Sequence, residues 1–281
     1  MLEARAASFA KRSIKTESKR VAIDLAIRCI DLTTLEGRDS PGRIQTLCAK
    51  ALAPGEGAPP VAAVCVYPSL VAVAKAMLAG SCVVVASVAT SFPSGLSSLA
   101  VRLDETRAAL DAGADEIDMV IDRGAFLAGD EARVAREIAA VKDVCGDVHL
   151  KVILETGELG SYDAIRRASD IALTGGADFI KTSTGKIGTS ATLPTALVMC
   201  EAIRDFQRRT GERRGLKIAG GVRTTKSAIA YLVLVAETLG EGWLDPALFR
   251  IGASALLDDL LMQRQSGRTG RYASVDYFPK D

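Results

Sequence analysis

The sequence predicts an α/β chain folded as a single (β/α)8 TIM barrel, and three observations carry that prediction. Eight short apolar, β-branched runs recur along the 281 residues, and segments of helical periodicity separate them. Six of the seven intervals between run starts span 29 to 37 residues, the length of one strand–helix unit. Strands apolar on both faces that alternate with helices belong to a parallel sheet covered by helices. Eight such units favour closure into a barrel, with a doubly wound sheet as the rival architecture.

Taken in order, the first run is Ala26 to Thr33 (AIRCIDLT). The second, Val61 to Tyr67 (VAAVCVY), precedes the helical pattern SLVAVAKAMLA, and an interval of only 22 residues to the third run leaves room for a short helix. The third, Val83 to Thr90 (VVVASVAT), leads into SLAVRLDETRAALDAG; the fourth, Glu116 to Asp122 (EIDMVID), into ARVAREIAAVKDVC; the fifth, Leu150 to Thr156 (LKVILET), into YDAIRRASDIALTGG. The sixth to eighth are Phe179 to Thr184 (FIKTST), Leu216 to Val222 (LKIAGGV) and Phe249 to Ser254 (FRIGAS). Several helix patterns end at Gly, as helix C-termini often do. No interior linker rich in Pro, Gly or Ser interrupts the chain. One barrel domain over residues 23–262 is therefore expected, with a solvated N-terminal extension (1–22) and a C-terminal tail (263–281).

Composition narrows the chemistry. Hydrophobic residues make up 48% and aromatics 5%, so the core is built of small aliphatic side chains. With 35 basic and 34 acidic residues the net charge is +1, which gives no broad field for nucleic acid or an acidic membrane surface. The single histidine, His149, precedes the fifth run and so falls at the stability face of a barrel. One imidazole leaves zinc hydrolases and Ser–His or Cys–His enzymes short of groups, so acid–base work falls to Lys, Asp, Glu or Tyr. Six cysteines without a C-x-x-C pair read as reduced, mostly buried thiols. No apolar run reaches the roughly 18 residues of a membrane helix and the N-terminus lacks the order of a secretory signal, which points to the cytoplasm. Glu3 and Glu17 count against a transit peptide in the basic residues 1–20.

Barrel active sites lie at the C-terminal ends of the strands. The runs place Asp31, Thr33, Thr34, Thr90, Asp118, Asp122, Glu155 and Thr156 there, followed by Lys181 to Thr184. Lysine inside an apolar strand is the strongest signal, because burying an unpaired ammonium costs several kcal/mol. Lys151 finds a partner in Glu155 on its own strand face in this reading. Lys181 and Lys217, on neighbouring strands beside glycine turns, form the candidate functional pair. A lysine at its reference value near 10.4 is neutral in roughly 4 molecules in 10,000 at pH 7, and one lowered to about 7.5 in roughly a quarter. Desolvation and a second ammonium both push that way, and the neutral amine can attack a carbonyl to form a Schiff base. Glycine turns after the last three strands, around Gly185, Gly220 with Gly221, and Gly252, form a phosphate cradle. The run STGK is no nucleotide loop, since Ile180 replaces the first Gly and Ile187 the magnesium-binding hydroxyl.

At these residues the chain resembles class I deoxyribose-phosphate aldolase. The resemblance covers about residues 24–265 and rests on IDLTTL, AAVCVYP, ADEIDMVI, LKVILETGEL, ADFIKTSTGK, KIAGGVRT and RIGAS. It implies Lys181 as the Schiff-base lysine, Lys217 as the lysine that depresses its pKa, and Asp118 as the carboxylate of the proton relay. It also implies phosphate contacts from Gly185, Lys186, Gly220, Gly221, Arg223, Gly252 and Ser254, and pocket positions at Thr184, Asp31 and Cys65. The implied reaction is the reversible cleavage of 2-deoxy-D-ribose 5-phosphate to acetaldehyde and D-glyceraldehyde 3-phosphate, in deoxyribonucleoside catabolism, with no metal and no cofactor. The implied partners are a phosphosugar and further copies of the chain, as a homodimer or homotetramer. Two departures stand out: Ala255 occupies the place of a second phosphate-turn Ser, and the family's terminal tyrosine is matched by Tyr277, in competition with Tyr272. Two other readings stay open, a phosphosugar isomerase or synthase that forms no imine, and a non-catalytic phosphosugar-binding barrel.

Overall fold

The computed structural model describes residues 1–12 and 14–270. Eight parallel strands close a barrel in sequence order: β1 (Ile30–Thr33), β2 (Ala63–Val66), β3 (Val84–Val88), β4 (Glu116–Val120), β5 (His149–Ile153), β6 (Phe179–Lys181), β7 (Gly215–Ala219) and β8 (Phe249–Ala253), with β8 pairing back onto β1. Around them run α1 (Leu2–Phe9), α2 (Thr16–Arg28), α3 (Pro41–Leu52), α4 (Val71–Met77), α5 (Leu99–Asp111), α6 (Arg123–Leu127), α7 (Glu131–Cys145), α8 (Tyr162–Thr174), α9 (Leu193–Thr210), α10 (Thr225–Leu239) and α11 (Leu256–Thr269). Among these helices none is long and apolar enough to cross a membrane.

Each of the eight apolar runs coincides with a strand, β5 and β7 beginning one residue earlier at His149 and Gly215, because side chains on both faces are buried, one against helices and the other in the barrel. Helix starts follow side-chain chemistry: Ser98 caps α5, Asp130 caps α7, Ser161 caps α8, and Thr192 with Thr195 forms a capping box on α9. Helix α11, like α1, α2 and α4, starts with no capping side chain, at Ala255.

Three expectations change. The first run is not all strand: Ala26 to Arg28 finish α2, since Ile23, Ala26, Ile27 and Ile30 share a buried face, and only Cys29 separates helix from β1. The sixth strand stops at Lys181, and the residues that follow turn their hydroxyls onto neighbouring segments: Thr182 donates to the Ala219 carbonyl and Thr184 to Glu155. The N-terminal extension is not solvated along its length. Helix α1 lies on α9 and α10 with Ala6 and Phe9 buried, and Arg5 and Arg12 pair with Glu201 and Glu237. A boundary between residues 22 and 23 cuts α2, and one between 262 and 263 cuts α11.

Register decides which side chains meet in the interior. Lys181 is level with Ile153 on β5 and Lys217 on β7, Lys217 with Arg250 on β8, and Asp118 on β4 with Lys151 on β5. Below Lys181, Phe179 fills the barrel, and a Cβ on its register partner Gly215 would lie only 2.3 Å from the Phe179 ring. That glycine makes room for the aromatic floor of the site.

Candidate active site

The inward positions of β1 and β4 to β8 carry ionised side chains. Asp118 is fully buried and is the hub: its Oδ2 accepts from Lys181 Nζ and from Lys217 Nζ, each at 2.7 Å, and its Oδ1 accepts from Lys151 Nζ at 2.9 Å. Lys217 also pairs with Asp31 Oδ2 at 2.6 Å. Asp31 Oδ1 accepts from Arg250 at 2.6 Å, and Arg250 reaches on to Glu116 at 2.8 Å. Lys151 completes the connection to Glu116 at 2.6 Å. Its partners are therefore Glu116 and Asp118, in place of the expected Glu155. Glu155 has left the strand at a φ of 56° and accepts instead from the backbone and hydroxyl of Thr184, fixing the turn after β6.

These contacts separate the three lysines. Burial draws the Lys181 amine below the ordinary lysine value, and Lys217 beside it pulls the same way, against Asp118. Burial also opposes charge on Lys217 and Lys151, but Lys217 is held above its ordinary value by Asp118 and Asp31, and Lys151 by Asp118 and Glu116. Asp118 stays well below the ordinary carboxylate value despite its burial, because three ammonium groups surround it. The arrangement thus yields one lysine poised to lose its proton and two held charged.

Opposite the ionised strands the interior is apolar. Leu35, Cys65, Ala86, Val88, Phe92, Val120 and Ile153 form a separate buried cluster, with Tyr67 edge-on to Phe92. Cys65 belongs to this wall, and burial raises its thiol pKa, so it is a neutral neighbour of the lysines.

Above Lys181 opens a cavity of about 200 Å³. The turns after β6, β7 and β8 line it, bringing Lys181, Thr184, Gly185, Lys186, Gly220, Gly221, Arg223, Gly252 and Ser254 into one rim. Gly220 has φ +81°, and a Cβ there would lie 2.8 Å from Ser190 Oγ. At Gly252 a Cβ would meet Lys217 Cε at 3.2 Å, so the small residue keeps the lysine in place. Lys186 pairs with Glu36 across the rim at 2.9 Å, while Arg223 is exposed. The uncapped first turn of α11 at Ala255 adds backbone N–H groups to the same rim. Cations, glycine turns and free amides together suit a phosphate.

Of the residues singled out from sequence, Lys181, Lys217, Asp118, Asp31 and Cys65 come together in the interior, and the phosphate positions at the rim. Tyr277 and Tyr272 lie outside the described residues. Sequence reasoning missed Glu116 and Arg250 as members of the cluster. The signal was present: Glu116 is two residues from Asp118 on one strand face, and Arg250 is a cation within an apolar strand like the lysines. His149, as expected, sits at the opposite end, half-exposed, with Nδ1 3.9 Å from Glu116.

Comparisons with known proteins converge on one family. The profile of the DeoC/LacD family aldolases matches residues 25–261. The deoxyribose-phosphate aldolases of Mus musculus and Homo sapiens are each 47% identical to the chain over 283 residues, 96% of this chain and 89% of theirs. That of Agrobacterium fabrum is 43% identical over 93% of this chain and 99% of its own. A crystal structure of a provisionally named deoxyribose-phosphate aldolase of Toxoplasma gondii matches with a TM-score of 0.80 at 27% identity, over 94% of this chain and 100% of that one.

Proposed function

The chain belongs to the DeoC/LacD family of aldolases, and on that premise we propose that it is a Schiff-base lyase that reversibly cleaves 2-deoxy-D-ribose 5-phosphate to acetaldehyde and D-glyceraldehyde 3-phosphate. The observation that carries the reading is the position of Lys181: nearly buried, its amine pKa lowered, bonded to Asp118 and facing the phosphate-type cavity.

In this mechanism the neutral Lys181 amine attacks C1 of the open-chain sugar, and the carbinolamine loses water to give an iminium. The Asp118 carboxylate takes the proton of the C3 hydroxyl through an ordered water, which the Lys217 ammonium at Asp118 Oδ2 helps to hold. As that O–H becomes a carbonyl, the C2–C3 bond breaks and its electron pair moves to the iminium nitrogen, leaving an enamine on Lys181. Glyceraldehyde 3-phosphate departs. Protonation at C2 and hydrolysis then release acetaldehyde and regenerate the amine. Gly185, Lys186, Gly220, Gly221, Arg223, Gly252 and Ser254 hold the 5-phosphate, and Thr184 and Asp31 position the sugar. The apolar wall around Val120 and Ile153 keeps water from the enamine.

Borohydride added with substrate tests the reading. Reduction is expected to leave a stable adduct on Lys181, located by peptide mass spectrometry, and no adduct in Lys181→Ala. An active preparation that forms no adduct overturns it in favour of a phosphosugar barrel without an imine. A cytoplasmic site of action and assembly as a homodimer or homotetramer complete the proposal. Exposed Leu96, Val101 and Leu127 are consistent with assembly, and sedimentation velocity distinguishes the two states.

A further inference from the structure

The ion pairs of the barrel interior can be followed as a circuit. Lys217 meets Asp31 at 2.6 Å, Asp31 meets Arg250 at 2.6 Å, and Arg250 meets Glu116 at 2.8 Å. Glu116 meets Lys151 at 2.6 Å, Lys151 meets Asp118 at 2.9 Å, and Asp118 meets Lys217 at 2.7 Å, which closes the loop. Three cations alternate with three anions, and each of the six side chains is at most 6% exposed. Lys181 joins from outside, through the Asp118 oxygen it shares with Lys217.

We propose that Arg250 and Glu116 are positioning residues which close this ring at net charge zero, so that Lys181 is the surplus cation of the interior and the group that gives up its proton. The inference deepens the Schiff-base reading and rests on it. A buried ionic ring is a poor way to stabilise a barrel floor, where branched aliphatic side chains pack at no desolvation cost. It is a good way to fix charge. Loss of a proton from Lys217 or Lys151 would leave two carboxylates short of a counter-ion, whereas loss from Lys181 leaves every ring member paired. Neither Glu116 nor Arg250 lies on the rim of the phosphate-type cavity, so both act through Lys151, Asp118, Asp31 and Lys217.

The ionisable groups facing this cluster can be named strand by strand. They are Asp31 from β1 with Cys29 just before it, Cys65 from β2, Glu116 and Asp118 from β4, Lys151 from β5, Lys217 from β7 and Arg250 from β8. β3 has none in its sequence. His149 faces Glu116 from the lower end at 3.9 Å. At the mouth, Lys186 pairs with Glu36, and Glu155 with Thr184 and Arg123.

The test is the pH dependence of imine formation, read as the rate of borohydride-trappable adduct on Lys181. Its acid limb reports loss of the Lys181 proton. Glu116→Gln gives the ring a charge of +1, and the limb is expected about one pH unit lower; Arg250→Met gives −1, and the limb is expected about one unit higher. The double variant restores neutrality, and its limb is expected back at the wild-type position. Limbs that stay in place, move in the same direction, or remain displaced in the double variant overturn the proposal. Where a single variant does not fold, His149→Lys and His149→Asp place charges of either sign at the half-exposed end. Opposed shifts of a few tenths of a unit support the ring, and coincident profiles overturn it. No wild-type adduct refutes the Schiff-base reading, whereas an adduct with unmoved limbs refutes the ring alone.

Discussion

Replacing Lys217 by Met measures how far one ammonium activates the other. Both amines are 2.7 Å from the same Asp118 oxygen, so they are separated by at most twice that distance, 5.4 Å. At an effective dielectric of about 20, two unit charges at that separation repel by about 3 kcal/mol. That energy corresponds to about two pKa units. Lys217→Met removes it, and Lys181 becomes the only ammonium on Asp118 Oδ2. The fraction of neutral amine near pH 7 is then expected to fall on the order of 100-fold.

Single-turnover trapping with borohydride isolates this step from any later proton transfer by Lys217. Below its own titration the variant rate is expected to rise tenfold per pH unit, meeting the wild-type plateau about two units later. A constant deficit at every pH would refute the reasoning, because an electrostatic effect on protonation must vanish once both proteins are deprotonated. Loss of one partner from a buried pair also costs about 3–5 kcal/mol of stability, so the comparison is made at a temperature where both proteins are folded.

Three further outcomes follow. Gly220→Ala forces a side chain onto a φ of +81° against Ser190 Oγ, and is expected to weaken binding of the phosphorylated sugar about tenfold while leaving unphosphorylated deoxyribose unaffected in calorimetry. Thr184→Val removes the hydroxyl that donates to Glu155 and accepts from the Lys186 amide; KM is expected to rise about fivefold or more, with kcat little changed, in steady-state assays. Asp31, Glu116 and Asp118 all ionise below their ordinary values. Their stabilising contribution is therefore complete above about pH 4 and is lost as pH falls through the folded-state values, with a slope approaching about 4 kcal/mol per pH unit if the unfolded chain binds three more protons. Urea titrations at descending pH read that slope, and a stability independent of pH below about 5 would contradict it.

The barrel was legible in the sequence because strands buried on both faces are apolar at most positions, a pattern that survives without tertiary context. Lys181 and Lys217 were legible for the same reason, as cations where the pattern demands Val or Ile. What alternation does not reveal is who faces whom across the barrel. Period two places Lys151 and Glu155 on one face of a strand, but the chain turns left-handed at Glu155, and the carboxylates that reach Lys151 come from β4. Arg250 and Glu116 required the argument used for the lysines, extended to every charge in an apolar run. The docking of α1 was written at Leu2, Ala6 and Phe9, whose spacing of four and three puts them on one helical face, although the basic residues around them resemble a solvated tail.

A chain with one histidine must set its proton affinities by counting charges. The barrel interior divides into an ionic side on β1 and β4 to β8 and an apolar side centred on β2 and β3, and Lys181 stands at the junction, level with Ile153 and Lys217. On the proposed mechanism the net charge of the cluster changes along the reaction. With a neutral amine it is zero; an iminium on Lys181 returns it to +1 in a site where burial penalises charge. Cleavage of C2–C3 sends an electron pair to that nitrogen and neutralises it, while the C3 hydroxyl proton passes to Asp118, so the positive charge leaves Lys181 and the cluster total stays at +1. The Lys217 ammonium that eases loss of the Lys181 proton also opposes positive charge on the iminium nitrogen, so the same neighbour assists the formation of the nucleophile and the passage from iminium to enamine.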